Sequence, residues 1–160
     1  MTQFEPAVMA LASALRTRGW KIATAESCTG GLIAAACTAV AGSSDWFERG
    51  FVSYSNEAKA ELLGVPMALI QAHGAVSAEV ARAMADGALA HSHAQLAVAV
   101  TGIAGPGGAT PGKPVGTVWL ALARAGGARA QAELLTLAGD RAAIREQTVR
   151  HALQRLIENA

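Results

Sequence analysis

The sequence has few aromatic residues, only two cysteines and no long run of large apolar side chains. Phenylalanine, tryptophan and tyrosine make up 4% of the 160 residues, whereas alanine and small aliphatic residues dominate the 52% that are hydrophobic. This composition does not favour a large aromatic-lined groove and is typical of helices packed closely on a sheet. The length predicts one domain with a single core, over residues 1–160.

Charge of one sign is not concentrated anywhere in the chain. The three lysines and ten arginines are scattered and the formal charge is +1, so nucleic acid is not an expected ligand. The longest low-charge stretch, TGGLIAAACTAVAGSS, has too few large apolar residues to cross a bilayer, and no membrane association is expected. Because MTQFEPAVMA lacks the pattern of a secretory signal, we expect the protein in the cytoplasm.

The two cysteines, Cys28 and Cys37, are expected to be free thiols in a reducing compartment. The four histidines are dispersed, and no group of cysteine and histidine has the spacing of metal ligands. We therefore expect no metal site.

Strand and helix patterns alternate along the chain. A helix near Pro6 to Arg18 precedes four strand candidates, WKIATA, FVSY ending near Tyr54, LAVAV and GTVWLALA. Further helices are predicted at LIAAACTAVAG, NEAKAELLG, MALIQAH, after a cap at Ser77, and after a cap at Asp140. This alternation predicts a three-layer α/β/α sandwich around a mixed or largely parallel sheet.

Three polar segments, ESCTGG, YSNEAK and TGIAGPGG, each follow a strand candidate. Ligands of such sheets bind beyond the carboxyl ends of the strands, so we expect these segments to converge at one edge. The segment between LAVAV and GTVWLALA has about sixteen residues, which is longer than a structural connection needs. Its length also favours a functional site there.

The stretch TAESCTGG places Ser27 at a strand-to-helix turn. Such a turn presents the hydroxyl at the sheet edge, and free N–H groups at the helix start can stabilise an oxyanion. The pattern is not the G-x-S-x-G elbow, and no Asp/His pair is placed for a triad. Lys59 is the best base, because a desolvated lysine can accept a serine proton, and Tyr54 can share the relay.

Each of these residues also has a purely structural interpretation. Ser27 alone fits a helix cap, Lys59 a solvated helix lysine and Tyr54 a core residue. Thr101 fits a strand-end threonine that bonds its own loop. Arg141 fits a solvated residue in the first turn of the last helix, although a cation there opposes the helix dipole and invites an anion.

The whole chain resembles the C-terminal domain family of the competence/damage-inducible protein CinA. The resemblance rests on TAESCTGG, AGSSDWFERGFVSYSNEAKAELLGV, GAVSAEVARAMADGA, TGIAGPGG with KPVGTVW, and the GDR before the last helix. It implies hydrolysis of the carboxamide of nicotinamide mononucleotide, a small-molecule substrate, to nicotinate mononucleotide and ammonia. No metal or organic cofactor is implied, and we expect a homo-oligomer.

The resemblance also implies roles for individual residues. Ser27 matches the nucleophile, Lys59 the base and Tyr54 the helper of the base. Substrate binding is expected at Thr29, Gly30 and Gly31 of AESCTGG, Thr101 and Gly102 of TGIAGPGG, and Arg141 of GDR. Glycine-rich backbone amides and an arginine fork would suit the phosphate of a mononucleotide.

Two other functions remain open at this point. The family's name suggests a regulatory module without catalysis, linked to competence or to the response to DNA damage. Such a module has no reason to keep both Ser27 and Lys59. The other alternative is an amidase that uses Cys28, which has no histidine or metal partner in the sequence to lower its pKa.

Overall fold

A computed structural model describes residues 1–160, which form one five-stranded sheet with helices on both faces. The strands are β1 (Ile22–Glu26), β2 (Phe47–Val52), β3 (Leu96–Gly102), β4 (Thr117–Arg124) and β5 (Gln131–Thr136). The helices are α1 (Glu5–Arg18), α2 (Leu32–Thr38), α3 (Asn56–Leu63), α4 (Met67–His73), α5 (Ala78–Ala90) and α6 (Arg141–Asn159). None of these helices is both long and apolar enough to cross a membrane.

The strand order is β2-β1-β3-β4-β5. Strand β1 is parallel to β2 and to β3, whereas β4 is antiparallel to both β3 and β5. The predicted three-layer α/β/α sandwich is confirmed, and its sheet is mixed. Because β1, β2 and β3 are parallel, their carboxyl ends lie at the same edge of the sheet.

The alternating side chains of β3 separate two cores of different side-chain size. Leu96, Val98 and Val100 belong to the core beneath α1, α2 and α6, and Ala97 and Ala99 belong to the core beneath α5. Successive residues of a strand point to opposite faces, so the pattern LAVAV specifies a large-residue face and an alanine face. The alanine face lets α5 lie close to the sheet.

Close helix packing on the alanine face also depends on Gly87 of α5. A Cβ atom at this position would overlap the backbone carbonyl of Leu63 at the end of α3. Only glycine permits this approach. The close contact at Gly87 fixes α3, which carries Lys59, against α5.

Most of the predicted helix ends are confirmed. The side chains of Ser77 and Asp140 accept hydrogen bonds from the Val80 and Ala143 amides at 3.3 and 2.9 Å. These bonds satisfy amides that the first helical turn leaves without partners. Gly19 ends α1 in the left-handed conformation, as predicted.

Three elements differ from the sequence prediction. Strand β2, predicted at FVSY and expected to end near Tyr54, runs over Phe47–Val52 because it pairs with β1 in that register. Helix α2 ends at Thr38, and the rest of LIAAACTAVAG forms a turn before the 3₁₀ helix Ser43–Asp45. Strand β5 was not among the predicted elements. Its sequence, QAELLT, is rich in helix-forming residues, and pairing with β4 overrides that preference.

Candidate active site

The three polar segments meet at the carboxyl edge of the parallel strands, as predicted. Ser27 directly follows β1, and Thr101 and Gly102 end β3. The N–H of Ser53, just after β2, donates to the carbonyl of Glu26 at 3.0 Å. This bond ties the segment that leads to α3 to the end of β1.

A cavity of about 180 Å³ lies at this edge. Among its lining residues are six that the sequence predicts to form the site: Ser27, Tyr54, Lys59, Thr101, Gly102 and Arg141. The other lining residues are Cys28, Asn56, Ala75, Val76 and Ala104. The remaining predicted residues, Thr29, Gly30 and Gly31, lie in the turn behind Ser27 and do not line the cavity.

Lys59 and Ser27 form a buried pair. The Nζ of Lys59 lies 3.0 Å from the Oγ of Ser27 and donates to the backbone carbonyl of Tyr54 at 2.8 Å. Lys59 is only 1% exposed, so the interpretation as a solvated helix lysine is wrong. Burial lowers the pKa of Lys59 below its ordinary value, because the charged form is disfavoured away from water.

Helix α3 places this lysine. It begins directly after Ser55, whose hydroxyl caps the helix by accepting from the Ala58 amide at 3.0 Å. Lys59 therefore lies on the first turn of a helix that starts at the sheet edge. Its side chain reaches back toward the end of β1, as helical side chains point toward the N-terminus.

Tyr54 contributes its backbone carbonyl, and not its phenol, to the contact with Lys59. The residue is 60% exposed, so it is not part of the core. The residue also lines the cavity. The phenol forms no hydrogen bond to Ser27 or Lys59 in this structure.

Cys28, the other potential nucleophile, is buried in the core beneath α2 and α6. Burial raises its pKa to about 12, mainly because the thiolate would lose its hydration. The thiol is therefore protonated at neutral pH. Cys37 is likewise buried and free, and the prediction of two free thiols is confirmed.

A buried carboxylate organises the start of α2. Oε1 of Glu26 accepts from the Thr29 hydroxyl at 2.6 Å and from the Ile33 amide at 2.8 Å, and Oε2 accepts from the Ala34 amide at 2.9 Å. The Thr29 hydroxyl is thus bonded to Glu26, and the Ile33 and Ala34 amides at the helix start, which the sequence predicts to be free, are already occupied.

Two other amides in the same turn are unoccupied. The N–H groups of Cys28 and Thr29 donate to no acceptor within the chain, whereas the carbonyl of Ser27 accepts from the Gly30 amide at 3.1 Å. Both free N–H groups directly follow Ser27 in the chain. Of the two residues only Cys28 lines the cavity, so its N–H is the candidate donor to an oxyanion.

Gly30 and Gly31 shape the turn. Their φ angles are 59° and 98°, in the left-handed region where glycine is favoured over other residues. They let the chain reverse between β1 and α2. In this structure they therefore act on the backbone behind the cavity and not on its wall.

Thr101 and Gly102, at the end of β3, line the same cavity as Ser27. The Thr101 hydroxyl donates to the carbonyl of Ala75 at 2.9 Å, which holds the segment before α5 against β3. A Cβ on Gly102 would lie 2.6 Å from Cγ2 of Val118, so no larger residue fits there without a shift. These contacts give the cavity a fixed shape.

A second cavity, of about 500 Å³, adjoins the first. Arg141 and Ala104 line both cavities, so Arg141 lies at their boundary. Its guanidinium donates to the carbonyl of Gly105 at 2.8 Å. The arginine is thus fixed on the long loop between β3 and β4. The second cavity extends the site along the start of α6.

Sequence reasoning missed two residues of this site, Glu26 and Arg145. The Nε and Nη2 of Arg145 donate to the carbonyls of Cys28 and Thr29 at 3.2 and 3.0 Å. One signal pointed to it: Arg145 stands four positions after Arg141 and hence on the same face of the last helix. Glu26 stands directly before Ser27 in the motif TAESCTGG.

Fold and site together define an α/β/α domain with a buried serine–lysine pair at the carboxyl edge of parallel strands. No group of three or more His, Cys, Asp or Glu side chains is placed to hold a metal ion. The chain belongs to the CinA C-terminal domain family, which it matches over residues 5–160.

Relatives of two kinds are similar to this chain. A CinA-like protein of Citrifermentans bemidjiense is 58% identical over 143 residues, which cover 89% of this chain but 34% of that protein. The nicotinamide-nucleotide amidohydrolase PncC of Escherichia coli K12 is 52% identical over 147 residues, which cover 89% of this chain and 86% of that protein. The chain thus spans about a third of the first relative and most of the second.

A solved structure supports the fold. The competence/damage inducible protein CihA of Agrobacterium tumefaciens superimposes with a TM-score of 0.94 at 46% sequence identity. The match covers 97% of this chain and 94% of that one. The relatives that are matched over most of their own length are named as an enzyme, nicotinamide-nucleotide amidohydrolase PncC.

Proposed function

We propose that this protein is a nicotinamide-nucleotide amidohydrolase, which converts nicotinamide mononucleotide and water to nicotinate mononucleotide and ammonia. The observation that carries the proposal is the buried contact of 3.0 Å between Lys59 Nζ and Ser27 Oγ at the wall of a cavity. The names of relatives 51–54% identical to this chain supply the substrate.

In the proposed mechanism Ser27 is the nucleophile and Lys59 the base. Neutral Lys59 takes the hydroxyl proton as Oγ attacks the carboxamide carbon. The tetrahedral intermediate collapses when Lys59 passes this proton to the amide nitrogen, so ammonia leaves and an acyl ester remains on Ser27. A water molecule, deprotonated by Lys59, then hydrolyses the ester and restores the serine.

The developing negative charge needs hydrogen-bond donors. The free N–H of Cys28 is the proposed donor, because Cys28 directly follows the nucleophile, lines the cavity and does not use this N–H elsewhere in the fold. Serine is favoured over Cys28 itself as nucleophile because burial keeps the thiol protonated, with a pKa of about 12.

The ribose phosphate is proposed to extend from the smaller cavity into the larger one that it adjoins. Arg141 lies at the boundary between the two cavities and forms no ion pair with an acid. A guanidinium without an acidic partner suits a phosphate. Thr101 and Gly102 would bound the opposite side of the bound base.

Tyr54 is proposed to help Lys59 in two ways. Its backbone carbonyl holds the Nζ, and its phenol would join the proton relay once substrate is bound. Tyr54→Phe separates these roles because it keeps the carbonyl and removes only the hydroxyl. A loss of at least about tenfold in kcat supports the relay, whereas unchanged kcat leaves only the backbone role.

Ammonia release tests the proposed function. The purified protein should release ammonia from nicotinamide mononucleotide but not from free nicotinamide, because the phosphate contributes to binding in the transition state. The Ser27→Ala variant is the control for contaminating activity. No release from the nucleotide, or equal turnover of nucleotide and free base, contradicts the proposal.

A cytoplasmic location and a homo-oligomeric state accompany this proposal as predictions. Two free buried thiols are compatible with a reducing compartment. Light scattering on the purified protein distinguishes a monomer from a homo-oligomer, and a monomeric mass at working concentration contradicts the second prediction.

A further inference from the structure

Arg145 spans two successive carbonyls of the turn that carries Ser27. Its Nε donates to the carbonyl of Cys28 at 3.2 Å and its Nη2 to the carbonyl of Thr29 at 3.0 Å. The side chain comes from α6, more than one hundred positions away in the chain. It forms no ion pair with an acid, so its hydrogen bonds are directed at this turn alone.

The hydrogen bond from Arg145 to the Cys28 carbonyl acts on a whole peptide group. The carbonyl of Cys28 and the N–H of Thr29 belong to the same planar peptide group. Arg145 holds the carbonyl end of that group, and the N–H end donates to nothing in the chain. Because the peptide group is planar, the guanidinium on its carbonyl fixes the orientation of the group and, with it, of the turn that follows Ser27.

The preceding peptide group is held in a similar way. The carbonyl of Ser27 accepts from the Gly30 amide at 3.1 Å, and the N–H of Cys28, at the other end of that group, is free. Two adjacent peptide groups after the nucleophile therefore have bonded carbonyls and free N–H groups. Only the Cys28–Thr29 group is held by a distant side chain.

We propose that Arg145 is a positioning residue, which holds the Cys28 and Thr29 carbonyls so that the turn keeps the Ser27 hydroxyl and the Cys28 N–H in place for the oxyanion formed when Ser27 attacks. This inference rests on the proposed serine mechanism. It assigns to α6 a part in catalysis distinct from binding substrate. The fork of two donors is what the role requires, and a lysine cannot reproduce it.

The test compares Arg145→Lys and Arg145→Ala with a matched control, Arg150→Ala. Arg150 lies on the same helix, is exposed and pairs with Glu146. We expect kcat on nicotinamide mononucleotide to fall about a hundredfold in Arg145→Ala and about tenfold in Arg145→Lys, with KM within about threefold. Arg150→Ala should stay within about twofold of the wild type in both constants.

Two further readouts separate positioning from stability and from substrate identity. Millimolar guanidinium should raise the kcat of Arg145→Ala at least about tenfold, since it can occupy the vacated donor site. It should not activate the wild type. Labelling of Ser27 by phenylmethanesulfonyl fluoride, followed by mass spectrometry, should slow at least about tenfold in Arg145→Ala. This second readout does not depend on the natural substrate.

Unchanged kcat and unchanged labelling in folded Arg145→Ala overturn the proposal, as does a loss confined to KM. If Arg145→Ala does not fold, Arg145→Lys decides, and wild-type kcat and labelling in that variant overturn the proposal. If the wild type labels at Ser27 but releases no ammonia from the nucleotide, the proposed function fails. The labelling rates then still decide the role of Arg145.

Discussion

The Nζ of Lys59 lies 3.0 Å from the Oγ of Ser27, and neither residue has an acidic partner. Lysine is almost never fully buried without a partner, because removing its charge from water is costly. Such a group beside a hydroxyl in a cavity is typical of a catalytic base. Burial of the pair is therefore better explained by reactivity than by a contribution to stability.

Removal of either member of the pair should abolish most of the activity. We expect Ser27→Ala and Lys59→Met each to lower kcat at least about a thousandfold, and the double variant to be hardly worse, because the two act as one unit. Steady-state ammonia release measures this. The exposed Lys21→Ala is the control for loss of a lysine, and additive effects in the double variant would contradict a shared step.

Cys28→Ala should keep kcat within about tenfold of the wild type. The thiol is protonated and packed in the core, so its loss mainly removes packing, at a cost of about 1–2 kcal/mol in the free energy of unfolding. Parallel kinetics and urea denaturation separate the two effects. An inactive but fully folded Cys28→Ala protein would point to the thiol as nucleophile.

Activity should rise with pH through the ionisation of Lys59. Only the neutral amine accepts the serine proton, and burial lowers the pKa of Lys59, so the neutral form appears at a lower pH than for an exposed lysine. The profile of kcat/KM between about pH 6 and pH 10 should have a rising limb below the ordinary lysine pKa. A flat or falling profile across that range would exclude a lysine base.

Glu26→Gln should destabilise the protein and lower its activity. Both carboxylate oxygens of Glu26 accept hydrogen bonds, whereas a glutamine has one acceptor oxygen and an NH₂ group in place of the other. At least one donor that Glu26 satisfies therefore loses its partner. We expect a loss of about 1–3 kcal/mol in the free energy of unfolding, measured in urea. Glu146→Gln, whose side chain is 44% exposed, is the control, and equal stability of both variants contradicts the role of Glu26.

The sequence predicts those parts of the fold and site that depend on local patterns. Alternating residues in LAVAV identify β3, and Ser77 and Asp140 identify helix starts. Segments that follow parallel strands must meet at one edge, which is why Ser27, Lys59 and Thr101 could be grouped before any distance was known.

What the sequence does not predict depends on contacts that are distant in the chain or made by the backbone. Strand β5 forms because β4 offers a partner, against its own helix-forming composition. Glu26 bonds two backbone amides and a hydroxyl, and Arg145 bonds two carbonyls, so neither has a side-chain partner of opposite charge to reveal it. The bonds of Glu26 also explain why the amides at the start of α2, which were expected to be free, are occupied.

Trapping the acyl-enzyme tests the proposed role of Ser27 most directly. Wild-type protein is mixed with nicotinamide mononucleotide, quenched in acid during turnover, digested and examined by mass spectrometry. We expect an ester-linked nicotinate mononucleotide on Ser27, absent from Ser27→Ala and accumulating no faster than ammonia is released. An adduct on Cys28, or full turnover by a Ser27→Ala protein without any adduct, would contradict this role of Ser27.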